Sequence, residues 1–378
     1  ARRGLADRDL LRALKVGYRA NEVAMRGSLA CVAAGERGLQ IFSISNAARP
    51  VLLGSLSSIA NARCVAIQGS YAIVGDGAAG VRVVDISSPS VPVLVGTFAN
   101  TNLVFARSVA AAGNRAAATD GRRVALIDLS NPSAPGLLAV YTSGGFVFDL
   151  AMTTTHVFAA AGGDGLVTLS VPALNPAGSY NTPGMAMAVT LDGTRAHVAD
   201  GAGGWLILDV SSPAAPALLG SSGAQGPVDD VAVSAYLAAY AGSGNVLSGV
   251  DVSSPLTPVP AGSFDPLVRA MRLSASGSYV FTAEDEAGIG IFSLGATDQD
   301  GDGMPDAWEQ QIVDADPGDG ITSIEDVLPG GDFDGDGLNN LEESIAGTAP
   351  TDSGSVFAIN ATVAAGSQYV VRWYSVAG

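Results

Sequence analysis

The stretch Gly80-Val81-Arg82-Val83-Val84-Asp85-Ile86-Ser87-Ser88-Pro89-Ser90-Val91-Pro92 decides how this chain folds. Its first half alternates inward and outward residues, as a strand with one packed face must. Its second half is a stop. Asp85, Ser87 and Ser88 can bond their own backbone in a turn, and Pro89 and Pro92 fix φ where the chain leaves the sheet. Outward from this stretch the pattern returns. Close copies begin at Asp128, Asp209 and Asp251, and weaker ones centre on Ser43, Ser170 and Ser293. The position of Asp85 therefore falls at 43, 85, 128, 170, 209, 251 and 293, with spacings of 42, 43, 42, 39, 42 and 42 residues. Units of about 40–50 residues, each carrying four short strands, predict an all-β chain folded as a seven-bladed propeller.

In the second unit the strands read as Cys64–Gln68, Tyr71–Gly75, Gly80–Ile86 and Val93–Phe98. The first is expected innermost. The seventh unit reads as strands near 270–275, 279–283 and 288–294, and its outer strand is missing. The N-terminal stretch 11–18 precedes the first unit as Val51-Leu52-Leu53-Gly54-Ser55 precedes the second. It is expected to complete blade seven, which removes an exposed sheet edge.

The core Gly-x-x-x-x-Asp-x-Ser-x-Pro-x-x-Pro resembles the LVIVD repeat family of bacterial and archaeal secreted or surface proteins, over roughly residues 23–294. Blade four departs, because Val171-Pro172-Ala173-Leu174-Asn175-Pro176 lacks the Asp and the Ser. The resemblance implies a propeller at the cell surface or outside the cell. It implies no reaction.

Charge divides the chain into regions. The net charge is −17, yet residues 298–352 hold sixteen Asp and Glu and no Lys or Arg, which leaves the preceding part nearly neutral. The expected domains are 1–295, the propeller; 296–352, an acidic stalk; and 353–378, strands of a further β region. No basic surface points to nucleic acid, and no apolar run is long enough to span a membrane. The chain opens on Ala1 and shows no signal peptide, which reads as a processed product.

Within the acidic segment, Asp298, Asp300, Asp302, Asp306 and Glu309 stand at positions 1, 3, 5, 9 and 12 of a twelve-residue loop, with Gly303 at position 6. Asp332, Asp334, Asp336, Asn340 and Glu343 repeat the spacing around Gly337. Met304 and Leu338 fall at position 7, where a backbone carbonyl serves. Ca²⁺ takes six to eight hard oxygens, and such spacing supplies them. No helix precedes either loop, so the segment resembles bacterial thrombospondin type 3 or dockerin-like loop-then-helix repeats. Asp314, Asp316, Asp319 and Glu325 fit a third site poorly, because Gly318 holds position 5.

No nucleophile motif or metal-spaced His/Cys cluster stands out, so no catalytic residue is assigned. His156 and His197 read as structural, and Cys31 and Cys64 as buried free thiols. The Asp of each Asp-x-Ser turn reads as a turn-former. At the axial mouth the expected ring is Asn21, Arg63, Arg107, Phe148, Met187, Asp229 and Arg269, with Asp149 and Asp230 beside it. Arg63, Arg107 and Arg269 form a weak candidate anion site. These features support two functions. One is a non-enzymatic propeller with a calcium-rigidified stalk. Its partner is a surface protein or polysaccharide, or another copy met through the C-terminal strands. The other is a hydrolase or lyase acting on an anionic or sugar substrate at the mouth.

Overall fold

The computed structural model describes residues 10–14, 19–45, 50–222, 227–234, 237–242, 247–252, 254–264, 270, 272–276, 279–284, 288–293, 309, 312–313, 315, 320–335, 337–340, 351, 357–365 and 368–375. Alternating apolar residues make each repeat a four-stranded antiparallel sheet, and there are seven such sheets. Blade two, for example, runs Cys64–Gln68, Tyr71–Gly75, Val81–Asp85 and Val93–Phe98. The innermost strands neighbour one another in a circle that closes between Glu22–Arg26 of blade one and Arg272–Ser276 of blade seven. The expected seven-bladed architecture is what forms.

Blade seven takes its outer strand from the N-terminus. Leu10–Leu14 pairs antiparallel with Ile289–Ser293, placing Leu14 opposite Ile289 and Leu10 opposite Phe292. The strand expected at 11–18 thus begins one residue earlier, and residues 15–18 lie outside the described ones. Each hydrophobic cluster straddles two blades, because one face of every sheet packs on its neighbour. Phe281, Ile289 and Ile291 of blade seven pack with Val23, Val32 and Phe42 of blade one, which seals the ring.

The recurrent proline has a packing reason. In blades one to six the third and fourth strands shift register once, at equivalent places such as Val83/Val84 and Ile207/Leu208. Glycine sits at that bulge in Gly54, Gly96, Gly178 and Gly220. A methyl group there would collide with the backbone carbonyl of Pro89, Pro132, Pro213 or Pro255 in the following blade. Blade three has Ala139 at this position. It faces blade four, the one whose turn lacks the motif and instead holds Leu174 at φ 55°. Glycine and the Asp-x-Ser-x-Pro turn are two halves of one inter-blade contact.

Two compact units divide the chain, residues 1–294 and 295–378. In the second unit Ile312 and Val327 are buried, with Val313, Ile321 and Phe333 against them. A 3-10 turn spans Ile324–Asp326, and strands Phe357–Ala365 and Gln368–Ser375 form an antiparallel hairpin. Among the described residues no helix is long and apolar enough to cross a membrane.

Candidate functional site

Strand register places one residue of each blade at the same level, at or near the start of its innermost strand. These are Glu22, Cys64, Ser108, Asp149, Ala188, Asp230 and Arg272, opposite Ala33, Gly75, Thr119, Ala160, Ala199, Ala241 and Ala283. The polar members link blades around the circle. Glu22 Oε2 accepts the Val65 N–H at 2.9 Å, and Ser108 Oγ accepts that of Leu150 at 3.2 Å. Asp149 Oδ2 accepts from Val189 at 3.2 Å, and Asp230 Oδ2 from Leu273 at 2.6 Å. In every case the donor belongs to the next blade. Ser108 also donates to Asp149 Oδ1 at 2.8 Å.

Arg272 reaches across the axis. Its Nη1 lies 3.7 Å from Asp149 and 3.5 Å from Asp230, and Nη2 donates to the Phe148 carbonyl at 3.4 Å. Glu22, Asp149, Asp230 and Arg272 line a polar cavity of about 190 Å³. Desolvation pushes the Glu22 carboxyl up to about 8 and that of Asp230 up to about 6, with Arg272 opposing in both cases. Glu22 is half-buried, yet it lines the axial cavity among Asp149, Asp230 and Arg272, and desolvation is the dominant effect on its carboxyl. Burial alone would lower the Arg272 pKa; the three carboxylates more than reverse this. Asp149 and Asp230 are therefore buried ring members and do not rim an open mouth. Sequence reading missed Glu22, Ser108 and Arg272. The signal was a polar residue at a strand position where the repeats otherwise alternate with apolar ones.

Just above the ring, each linking loop carries a buried small residue: Ala20, Ala62, Ala106, Val147, Ala186, Val228 and Ala270. Beside Ala62, Ala106, Val147 and Ala186 stand Arg63, Phe105, Arg107, Phe146 and Met185, all exposed or half-buried. Arg63 and Arg107 are exposed there, and both guanidinium groups lie over the Phe105 ring, at 5.5 and 5.6 Å. Arg107 also lies 5.4 Å from the Phe146 ring, and Phe146 contacts Phe148 at 4.7 Å between centroids. The described residues thus bring Arg63 and Arg107 together on one phenylalanine. Arg269 lies outside the described residues. Since Arg272 heads its strand, the blade-seven equivalent of Arg63 and Arg107 is Met271, and Arg269 aligns instead with Phe105 and Phe146. That is a correction of register by two residues.

Three hairpin acids at this end are structural. Asp76 accepts the Asn61 N–H at 2.8 Å and pairs with Arg82, Asp120 accepts from Val104 at 3.4 Å, and Asp200 from Gly184 at 2.6 Å. At the far end, Asp85 accepts from Ser87 and Asp209 from Ser211, both at 2.8 Å. These hydrogen bonds hold both carboxyls below their ordinary range. Cys31 and Cys64 are free and buried, and burial pushes the Cys31 thiol up to about 12. His197 is fully buried and stacked on Trp205 at 5.5 Å, and burial lowers its pKa to about 4.

Of the first loop expected to bind calcium only Glu309 is described, and it is fully buried. Of the second, Asp332, Asp334, Leu338 and Asn340 are described; Asp336 and Glu343 are not, nor are Asp314, Asp316 and Asp319. Asp332 accepts N–H groups of Gly335 and Gly337 at 2.8 and 3.1 Å, and Gly337 takes φ 100° for the sharp turn at position 6. Asn340 is buried, its Nδ2 donating to Leu328 O at 2.9 Å, while its Oδ1 has no hydrogen-bond partner among the described residues. A buried lone oxygen beside a folded acidic loop fits a hard cation. Among the described residues, no three His, Cys, Asp or Glu side chains group closely enough to hold a metal.

Comparison with known proteins agrees with this architecture. The LVIVD repeat matches residues 17–57, 60–100, 105–143 and 183–222. These are blades one, two, three and five; blades four, six and seven are not matched. No curated protein matches the chain. Among solved structures, a chain of the mitotic checkpoint complex superposes with TM-score 0.63 at 13% identity, covering 78% of this chain and 95% of its own. The WD40 repeats of RRP9 give 0.58 at 13%, covering 75% and 96%. The computationally designed Ika8 protein gives 0.56 at 11%, covering 72% and 83%. At these identities the likeness is one of fold alone.

Proposed function

We propose that the protein is a non-enzymatic binding propeller of the cell surface or extracellular space. It holds an anionic partner at its mouth, and a calcium-bound acidic segment sets the spacing between the propeller and the C-terminal strands. The observation that carries this reading is the placement of Arg63 and Arg107 on the single Phe105 ring. Stacked guanidinium groups are already ordered, so less rotamer freedom is lost when they meet a carboxylate. Arg63 spends its Nε on Asn61 Oδ1 at 3.0 Å, and its terminal N–H groups, with those of Arg107, are the donors that meet a carboxylate. Arg269 belongs to the same proposed site. The LVIVD repeats and the calcium-type spacing of Asp298, Asp300, Asp302, Met304, Asp306 and Glu309, and of Asp332, Asp334, Asp336, Leu338, Asn340 and Glu343, support an extracellular setting. Extracellular Ca²⁺ modules work at affinities of about 10⁻⁴–10⁻³ M.

The test is binding of labelled polyglutamate and oligogalacturonate at low salt, before and after R63Q/R107Q/R269Q. The triple variant should lose about tenfold or more in affinity with its melting temperature unchanged. Unchanged affinity, or no binding by the parent protein, would remove the mouth site. A catalytic reading has one observation in its favour, the raised carboxyls of Glu22 and Asp230. It requires that E22Q abolish turnover of such an anionic polymer; the binding reading requires that E22Q leave affinity unaltered.

A further inference from the structure

The mouth is chemically lopsided. Around blades two to five it presents Arg63, Val104, Phe105, Arg107, Phe146, Phe148, Met185 and Met187. Val104, Phe146 and Met185 are 58%, 39% and 49% exposed. Isolated exposed apolar residues are ordinary, but a contiguous set rimmed by arginine is the composition of an interface. The set is also held in place. Glycines of the second hairpins leave room for these side chains: Phe146 lies against Gly121, Phe105 against Gly77, and Met185, beside Phe148, against Gly162. A side chain at Gly121 would collide with the Phe146 ring. Each blade thus seats the mouth residue of the next, and the aromatic crescent is formed before any partner arrives.

Resting on the mouth-binding reading above, we infer that the occupant of this crescent is an extended acidic polypeptide carrying apolar anchor residues. The chemistry favours a peptide over a glycan. A sugar site needs hydroxyl and amide groups to meet its ring of hydroxyls. Val104, Phe105, Phe146, Phe148, Met185 and Met187 offer apolar surface instead, and Asn61, the amide beside Arg63, already accepts from the arginine Nε at 3.0 Å. Methionine adapts its shape to apolar side chains, and ordered aromatic and arginine residues supply most of the energy at protein interfaces. Beside the two arginines, Asp76 and Asp120 are turned onto backbone N–H groups and, for Asp76, onto Arg82, so they repel an acidic ligand little; the exposed Asp164 lies farther round, in the blade-four hairpin. Carboxylates of the ligand meet Arg63 and Arg107, and its apolar residues lie on Phe146 and Met185.

The test uses the full chain and three labelled probes of matched charge: a twelve-residue peptide alternating glutamate with leucine or phenylalanine, an all-glutamate peptide, and an oligogalacturonate. The mixed peptide should bind about tenfold tighter than either other probe. R63Q/R107Q should weaken all three. F146S/M185S should weaken only the mixed peptide, by about tenfold, to the level of all-glutamate. Tightest binding by oligogalacturonate, or equal binding by both peptides, overturns the inference while the anion site stands. Insensitivity of every probe to R63Q/R107Q overturns the mouth site itself.

Discussion

Arg272 of blade seven meets Asp149 of blade four, Nη1 to Oδ2 at 3.7 Å, so one side chain spans the axis between blades three places apart in the ring. The same guanidinium lies 3.5 Å from Asp230 of blade six. Ordinary inter-blade contacts join neighbours only. Removing one partner of a buried charge cluster leaves the others uncompensated, a cost of about 3–5 kcal/mol. R272L should therefore lower the melting temperature sharply, and R272L/D230N should recover part of the loss. A melting temperature that R272L leaves alone would mean the cluster is solvated and contributes little.

The cluster also makes stability depend on pH. Glu22 faces Arg272, Asp149, Asp230 and Cys64. Its carboxyl holds a proton up to about 8 when folded against an ordinary 4.5. Between those values the folded chain binds more protons than the unfolded one, so this group's contribution falls as pH rises. Asp230, raised to about 6, acts with the same sign over a lower window. E22Q should gain on the parent protein between pH 5 and pH 8.5, by on the order of 1–2 kcal/mol after allowance for the solvent in the channel. Parallel melting curves across that range would contradict the assignment.

Gly96 sits against the Pro132 carbonyl of the next blade. Its backbone angles suit any residue, so G96A tests packing alone. Forcing a methyl into a filled contact costs about 1–3 kcal/mol. Ala139, which occupies the same position in blade three, should accept glycine with a smaller loss. Denaturant midpoints of the two variants compare the sites directly.

Deleting residues 1–14 removes the strand paired with Ile289–Ser293. The backbone groups of that strand then lie on an open sheet edge, which invites association between chains. The truncated protein should aggregate or dimerise on warming, as light scattering would record. A stable monomer would show that blade seven closes without its N-terminal strand.

Calcium should order the acidic segment selectively. With sixteen acids and no base across residues 298–352, the metal-free segment repels itself. Chelation should open it to protease while residues 19–293 resist. The single variant D332N should lower calcium affinity with no change in the propeller's melting. Protection of the segment that is equal with and without chelator would rule out the metal's role.

The sequence by itself determined the number of blades, their order and the way the ring closes. Those come from local alternation, from turn residues and from a spacing that recurs, and each can be read without knowing what packs on what. His197 and the two cysteines were likewise legible as core residues, and the Asp-x-Ser turns as backbone-bonded. Tertiary structure alone decided which polar residues face one another. Glu22, Asp149, Asp230 and Arg272 are separated by as many as 250 positions, and only closure of the circle brings them to one axis. The strand register that makes Met271, and not Arg269, the counterpart of Arg63 and Arg107 also required the pairing of Arg272 with Ala283. A repeat's pattern reports on its own sheet. Contacts across the axis depend on all seven sheets together, and no stretch of the chain carries that information locally.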